Sequence, residues 1–108
     1  MAEHDAMMVR FVHDYLELLD HRVSSIRNHL EQRNFMTAHV ALLSLESTSV
    51  MVGANTLAQA AGRLREAVEA GERDTVVALL AEVSAEADRT RRDLAGAGTT
   101  GTDHTQPA

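Results

Sequence analysis

Apolar residues recur with the period of an α-helix in four successive segments of the chain. In residues 8–30 they return every three or four positions, which places them on one face of a long first helix. A second stripe covers residues 35–52, with Asn34 before it as a predicted N-cap and Gly53 after it as a predicted helix stop. The first half of the chain therefore predicts two helices joined by a short link.

Two further apolar stripes follow in the second half. One covers residues 57–68 and is closed by Gly71, and the other begins after Asp74, the predicted cap of the last helix, and continues to Leu94. Because the links are short, consecutive helices are expected to be antiparallel neighbours. The pattern predicts an all-α fold, an antiparallel four-helix bundle. Its predicted core positions are Met8, Phe11, Tyr15, Leu19, Val23, Ile26, Leu30, Phe35, Ala38, Leu42, Leu45, Ser49, Val52, Leu57, Ala61, Leu64, Val68, Val76, Leu80, Val83, Ala87 and Leu94.

The length and composition of the chain agree with a single helical domain. The chain has 108 residues, of which 44% are apolar and only 3% aromatic, which is enough for one core and too little for two. From Gly96 onward the helical period is lost and Gly and Thr dominate, which is typical of a disordered tail. The predicted domain therefore covers residues 1–95, and the predicted disordered tail covers residues 96–108.

Charge and residue usage exclude several classes of function. The net charge is −6 and no dense basic face is visible, so binding to nucleic acid is not expected. With no cysteine in the chain, disulfides and thiolate metal sites are excluded. The sequence shows neither a signal-peptide pattern nor a run of about 18 apolar residues. We expect a cytoplasmic protein without a membrane partner.

A motif in the second predicted helix is similar to that of a known family. Residues 36–57 read MTAHVALLSLESTSVMVGANTL. This stretch resembles the signature of the histidine-phosphotransfer (HPt) domain, in which a His is followed by Leu two residues later, then by Lys-Gly, and by Gly-Ala ten residues after the His. With Gly53 and Ala54 set on the Gly-Ala pair, Leu43 takes the place of the His and Leu45 matches the Leu.

The resemblance extends over roughly residues 8–94. Upstream, Asn34-Phe35 stands where the family commonly has an Asp and an aromatic or apolar residue that open this helix. Downstream, Leu57 and then Leu64-Arg65-Glu66 are similar to the Leu that follows the Gly-Ala pair and to a later Leu-Glu of the family. The resemblance implies an HPt-like bundle that takes part in two-component phosphorelay signalling, where HPt domains carry phosphoryl groups to and from receiver-domain aspartates.

The chain departs from the family pattern at the residues that carry the chemistry. Leu43 replaces the phosphoacceptor His, and an aliphatic side chain has no lone pair with which to attack an aspartyl phosphate. Glu46 replaces the Lys three residues on, and a carboxylate repels an incoming phosphoryl group. Ser47 replaces the Gly and adds a Cβ where a partner would approach. The resemblance therefore implies a bacterial pseudo-HPt protein that uses no cofactor, is not an enzyme, and acts by docking a partner.

The outer side of the second helix carries apolar residues where a surface helix would be polar. At 100° per residue, five apolar side chains point away from the core stripe, and a contiguous apolar patch is typical of a protein contact. We expect this face to bind a response-regulator receiver domain or a histidine kinase. As an alternative, the N-terminal segment or a neighbouring helix covers it. The predicted partner-binding residues are Met36, His39, Val40, Leu43, Glu46, Ser47, Val50 and Met51.

Two alternative functions remain open from the sequence. His39 stands one helical turn before Leu43 and could accept the phosphoryl group, although moving the motif onto it would require four extra residues before Gly53. The chain could instead be a helical scaffold or a homodimerisation module outside phosphorelay signalling.

A further alternative is a metal site on the first helix. His13, Glu17 and His21 follow one another at intervals of four residues, and two residues one helical turn apart can share a metal ion. Over eight residues, however, the direction of the side chain drifts by about 80°, and the sequence places no further ligand. We expect no metal site.

Overall fold

A computed structural model describes the backbone of residues 2–105 and the side chains of residues 6–96. The four helices in this part of the chain are α1 (Ala2–Glu31), α2 (Phe35–Met51), α3 (Asn55–Ala70) and α4 (Arg73–Thr105). No β-strand occurs within residues 2–105. The predicted all-α four-helix bundle is confirmed.

The first three helices end in the same backbone motif, which reverses the chain within two or three residues. After α2, Gly53 has a positive φ of 81°, its N–H donates to the Val50 carbonyl at 3.0 Å, and the Ala54 N–H donates to the Ser49 carbonyl at 2.8 Å. This pair of bonds defines a Schellman motif. Gly71 repeats it after α3 with a φ of 71°, as the sequence predicts for both glycines. After α1 the same position is held by Arg33 with a φ of 61°, a conformation that costs a non-glycine residue about 1 kcal/mol.

The structure confirms one predicted N-cap position and corrects the other. Asn34 is the N-cap residue of α2, without a side-chain cap hydrogen bond, and its Nδ2 donates to Gln32 at 3.2 Å. Asp74 does not cap α4, which already begins at Arg73, and the Glu72 carbonyl accepts the N–H of Val76. Asp74 lies within the first turn, where a carboxylate still interacts favourably with the helix dipole.

The end of α4 also differs from the sequence prediction. The backbone is helical through Thr105, whereas the sequence predicts a tail without regular structure from Gly96. Glycine weakens a helix but leaves its backbone N–H able to donate, so the hydrogen-bond ladder can continue through this segment. Residues 106–108 of the predicted tail, with Pro107 among them, lie outside the described residues.

The helices form a ring in which each contacts two others. Within the described residues α1 packs on α2, α2 on α3, α3 on α4 and α4 on α1, while no Cα atoms of the diagonal pairs come within 8 Å of each other. Alanines fill much of the buried side of α3, and their small side chains let α3 lie close to both of its neighbours. All four helices contribute to one buried core, which consists of Tyr15, Leu19, Val23, Ile26, Leu42, Leu45, Leu57, Ala60, Ala61, Leu64, Val83 and Ala87.

Two predicted core residues are exposed instead of buried. Phe35 is exposed because it is the first residue of α2, at the end of the bundle. Met8 is exposed as well. Tyr15 pairs with Ser49 near the end of α2. Met8 lies about two helical turns before Tyr15, or roughly 10 Å along α1. Met8 therefore lies beyond the end of α2.

A buried hydrogen bond joins α1 to α2 inside the core. The hydroxyls of Tyr15 and Ser49 lie 2.7 Å apart, and both residues are buried. Burial is the main influence on the Tyr15 phenol and raises its pKa, while the Ser49 hydrogen bond and the charge of Arg22 lower it to a smaller extent. The sequence places both residues on core stripes, but periodicity does not show that they pair.

Alkaline pH is expected to destabilise the protein through Tyr15. The chain holds one tyrosine and no cysteine, and every strongly basic side chain is an arginine, so Tyr15 is the side chain that titrates between about pH 9 and 12. Because its folded pKa lies above the unfolded value, the folded state retains a proton that the unfolded state releases. The free energy of unfolding should therefore fall as the pH rises above about 10.

Denaturant unfolding over a series of alkaline pH values, beside an ultraviolet absorbance titration of the phenol, measures this effect. In Tyr15→Phe the alkaline loss of stability should disappear, although the variant should start about 1 kcal/mol lower at neutral pH because Ser49 loses its partner. An alkaline loss of equal size in Tyr15→Phe would contradict the assignment.

Candidate functional site

The most unusual surface of the protein is the solvent side of α2, because this helix is apolar on two sides. Toward the core, α2 buries Ala38, Leu42, Leu45 and Ser49. On the opposite side, Leu43 is 42% exposed and Met36 is 83% exposed. We call this surface the outer face of α2. It consists of Met36, Val40, Leu43, Ser47, Val50 and Met51, all of them exposed.

The predicted exposure of the five apolar side chains on this face is confirmed. Neither the described part of α1 nor a neighbouring helix covers them. Water cannot hydrogen-bond to such side chains, and burying them against a partner is favourable by roughly 25 cal/mol for each Å² removed from water. Covering the outer face of α2 with a partner therefore lowers the free energy of the system.

A network of charged side chains borders this face on the side of α3. At 100° per residue, His39 and Glu46 lie about 40° and 60° around the helix from Leu43, both toward α3. The Arg65 Nε donates to Glu46 Oε1 at 3.1 Å, and its Nη1 lies 3.6 Å from Glu69 Oε2. Glu69 Oε2 also lies 3.1 Å from Nδ1 of His39. We call these four residues the α2–α3 charge network.

The environment of Arg65 is strongly acidic. The hydrogen bond that Arg65 donates to Glu46 is the main cause that raises the pKa of the Arg65 guanidinium, and the charges of Glu46, Glu69 and Glu66 raise it further, while partial burial lowers it. Three carboxylates therefore surround one guanidinium. Arg65 remains protonated at any physiological pH, and the region as a whole is negative.

A glycine on α3 makes room for the Glu46 carboxylate. A Cβ added at Gly62 would stand 2.9 Å from Glu46 Oε2, which is too close for a carbon and an oxygen that are not bonded. Gly62 is buried in the middle of α3, and a glycine there destabilises a helix by about 1 kcal/mol relative to alanine. Gly62 therefore lowers the stability of α3 at the position where the Glu46 carboxylate packs against it.

The border toward α1 is polar and carries a positive charge. The Arg22 guanidinium donates to the Ser44 hydroxyl at 3.0 Å, and Ser44 lies about 100° around α2 from Leu43. The Thr48 hydroxyl donates to the Ser44 carbonyl at 2.8 Å. These hydroxyl groups are engaged in structural contacts, in keeping with the absence of a hydrolase-like arrangement on this helix.

The structure brings the eight predicted partner-binding residues onto one side of the protein, but their exposure differs. Six belong to the outer face of α2, and the other two, His39 and Glu46, are half-buried against α3. Sequence analysis did not identify Gly62, Arg65 and Glu69. A signal for them exists, since they follow one another by three and four positions on α3 and so share the side that faces α2.

The candidate metal ligands on α1 form an exposed cluster that includes a different set of residues. Nε2 of His13 lies 3.3 Å from Glu17 Oε2, and Asp14 also offers a ligand atom nearby. His21 is not part of this group. Exposed acidic groups at successive helix positions are ordinary surface features.

The described residues also contain a shallow cavity, which lies away from the outer face of α2. Its volume is about 210 Å³, below the range of roughly 300–1,000 Å³ that is typical of small-molecule sites. Residues of the link between α2 and α3, of the first turn of α3 and of α4 line it, among them Thr56, Thr90 and the oppositely charged Arg89 and Asp93. This mixed lining selects for neither an anion nor a cation.

Comparison of the chain with protein-family models, with curated proteins and with solved structures finds no match. The HPt resemblance of residues 36–57 thus stays a prediction from the motif. Within the described residues, no helix has the length and apolar character needed to cross a membrane.

Proposed function

We propose that the protein is an HPt-like docking protein of two-component signalling that does not carry phosphate. In this proposal the outer face of α2 binds the receiver domain of a response regulator in the cytoplasm, and a histidine kinase is the alternative partner. By occupying this surface without accepting a phosphoryl group, the protein sequesters a regulator or competes with an active phosphotransfer protein.

The observation that carries the proposal is the exposure of Leu43. It lies in the middle of α2 at the position that the motif assigns to the phosphoacceptor, and its side chain points to solvent among other exposed apolar groups. An exposed leucine there preserves a surface for contact and removes the nucleophile. A leucine sealed in the core would have supported neither part of the proposal.

Phosphotransfer through His39 is a second candidate, and one contact favours it. Nδ1 of His39 lies 3.1 Å from the Glu69 carboxylate, and a carboxylate on one ring nitrogen fixes the orientation and tautomer of the imidazole. In this alternative, Nε2 of His39 would attack the aspartyl phosphate of the receiver. Glu46 and Glu69 would then both lie near the transferred group and oppose its approach.

The experiment that tests the proposal is a calorimetric titration of the purified protein against receiver domains from its own organism. We expect a one-to-one complex with at least one of them, with a dissociation constant in about the micromolar range. Incubation with a phosphorylated receiver, for the intact chain and for His39→Gln, then distinguishes docking from transfer. Label that the intact chain retains and the variant does not would favour phosphotransfer.

Analytical sedimentation of the protein alone measures its oligomeric state and so tests the alternative of a scaffold or homodimerisation module. A stable homodimer together with the absence of binding to every receiver would contradict the proposal and favour a scaffold or homodimerisation module. Binding to a histidine kinase without binding to a receiver would keep the docking function and change the partner.

A further inference from the structure

The α2–α3 charge network lies beside the point where the proposed partner would present its aspartate. Glu46 is about 60° around α2 from Leu43, and Ser44, the contact of Arg22, is about 100° away on the other side. Measured from Leu43, the acidic border is therefore nearer than the basic one. A group that docks over Leu43 has Glu46 as its nearest acidic neighbour on α2.

The charge of Arg65 does not compensate for this carboxylate. Its guanidinium is engaged by Glu46 at 3.1 Å and approached by Glu69 at 3.6 Å, and Glu66 adds a third negative charge nearby. Three carboxylates against one guanidinium leave the region negative, and it stays negative even when His39 is protonated. An incoming anion would be repelled from this side of the face.

The position of the carboxylate is built into the helix pair. Gly62 provides the space in which it lies, and Arg65 fixes its direction through the Nε hydrogen bond. Its side chain remains about 30% exposed, so its charge acts on groups outside the protein and is screened only in part. The carboxylate is thus held at the border of the face and is not a mobile surface charge.

We propose that this carboxylate makes the docking surface selective for the unphosphorylated receiver, so that phosphorylation of the receiver aspartate releases the protein. The inference rests on the proposed function and adds the regulation of the same site. A phosphoryl group carries a charge of about −1.5 to −2, and a like charge at an interface opposes association. The protein would hold a regulator in its resting state and free it on activation.

The test compares two forms of the receiver that binds in the titration described above. One form is unmodified, and the other carries beryllofluoride on its aspartate as a stable mimic of the phosphoryl group. We expect the protein to bind the beryllofluoride form about tenfold or more weakly than the unmodified form. Raising the salt concentration should reduce this ratio, because screening shortens the range of the repulsion.

Two substitutions assign the effect to the charge network. In Glu46→Gln the ratio should fall close to one, whereas in Arg65→Gln it should increase because the carboxylate loses its counter-charge. Glu31→Gln, an exposed glutamate at the end of α1, is the matched control and should keep the ratio of the unmodified protein. Helical circular dichroism verifies that each variant is folded.

The outcomes separate this inference from the proposal beneath it. If no receiver binds in either form, the proposed function fails and the inference fails with it. If receivers bind equally in both forms, or bind the beryllofluoride form more tightly, docking stands and the selectivity is wrong. A ratio that persists in Glu46→Gln would also contradict the role of this carboxylate, and the salt dependence of the unmodified protein provides a check that needs no variant.

Discussion

Leu42→Ala is expected to lower the free energy of unfolding by about 2–5 kcal/mol, whereas Leu43→Ala should change it by no more than about 0.5 kcal/mol. The two leucines are neighbours in the sequence and the chemical change is the same. Leu42 has no exposed surface in the core between the helices, while Leu43 lies on the outer face of α2. Replacing Leu42 leaves a cavity, whereas replacing Leu43 shortens a side chain that is already 42% exposed.

Denaturant titration of the two variants and of the unmodified protein measures this difference. Each variant serves as the control of the other, because both replace leucine by alanine within the same turn of α2 and so change helix propensity equally. Similar losses of stability in the two variants would mean that Leu43 is packed in solution, and the docking face would have to be abandoned.

Leu43→Gln is expected to weaken the proposed complex with a receiver domain by about thirtyfold or more, which corresponds to roughly 2 kcal/mol. Leu43 is at the centre of the outer face of α2, and residues at the centre of an interface usually contribute most to binding. Glutamine is neutral and favours a helix, so the change removes the apolar contact without adding charge or disturbing α2. Calorimetric titration measures the loss.

Val77→Gln is the matched control for this variant. Val77 is an exposed apolar residue on α4, and within the described residues no Cα atom of α4 comes within 8 Å of one in α2, so its substitution should leave the proposed receiver binding unchanged. An equal effect of the two substitutions would show that binding does not depend on the outer face of α2. Unchanged binding in Leu43→Gln would lead to the same conclusion.

The helices of this protein follow closely from local sequence rules. The apolar stripe of α2 and the two glycines at positive φ, Gly53 and Gly71, are local signals, and the structure has the helix ends where those signals predict them. The predicted start of α4 was wrong, since Asp74 lies one residue inside the helix instead of before it. Asn34 holds its predicted N-cap position, although without a side-chain cap hydrogen bond.

The candidate site could be predicted from the sequence only in part. The period of α2 indicates which side chains point outward, because the direction of a side chain depends only on its own helix. The partners of Glu46 and His39 come from α3, so they depend on how the two helices are placed against each other. Arg65 and Glu69 are ordinary exposed charges in the sequence, and only their contact across the helix pair makes them part of the site.

Gly62 has a practical consequence for anyone who engineers this bundle. As a glycine within a helix, it is an obvious target for stabilisation, and a change to alanine should raise the melting temperature because it favours helix formation. The same methyl group would stand 2.9 Å from Glu46 Oε2, so the carboxylate at the end of this side chain would have to shift. A thermostability screen would therefore select a more stable protein in which the position of a negative charge beside the outer face of α2 had changed. The screen would not detect this change, because the mutated residue is buried and belongs to a different helix.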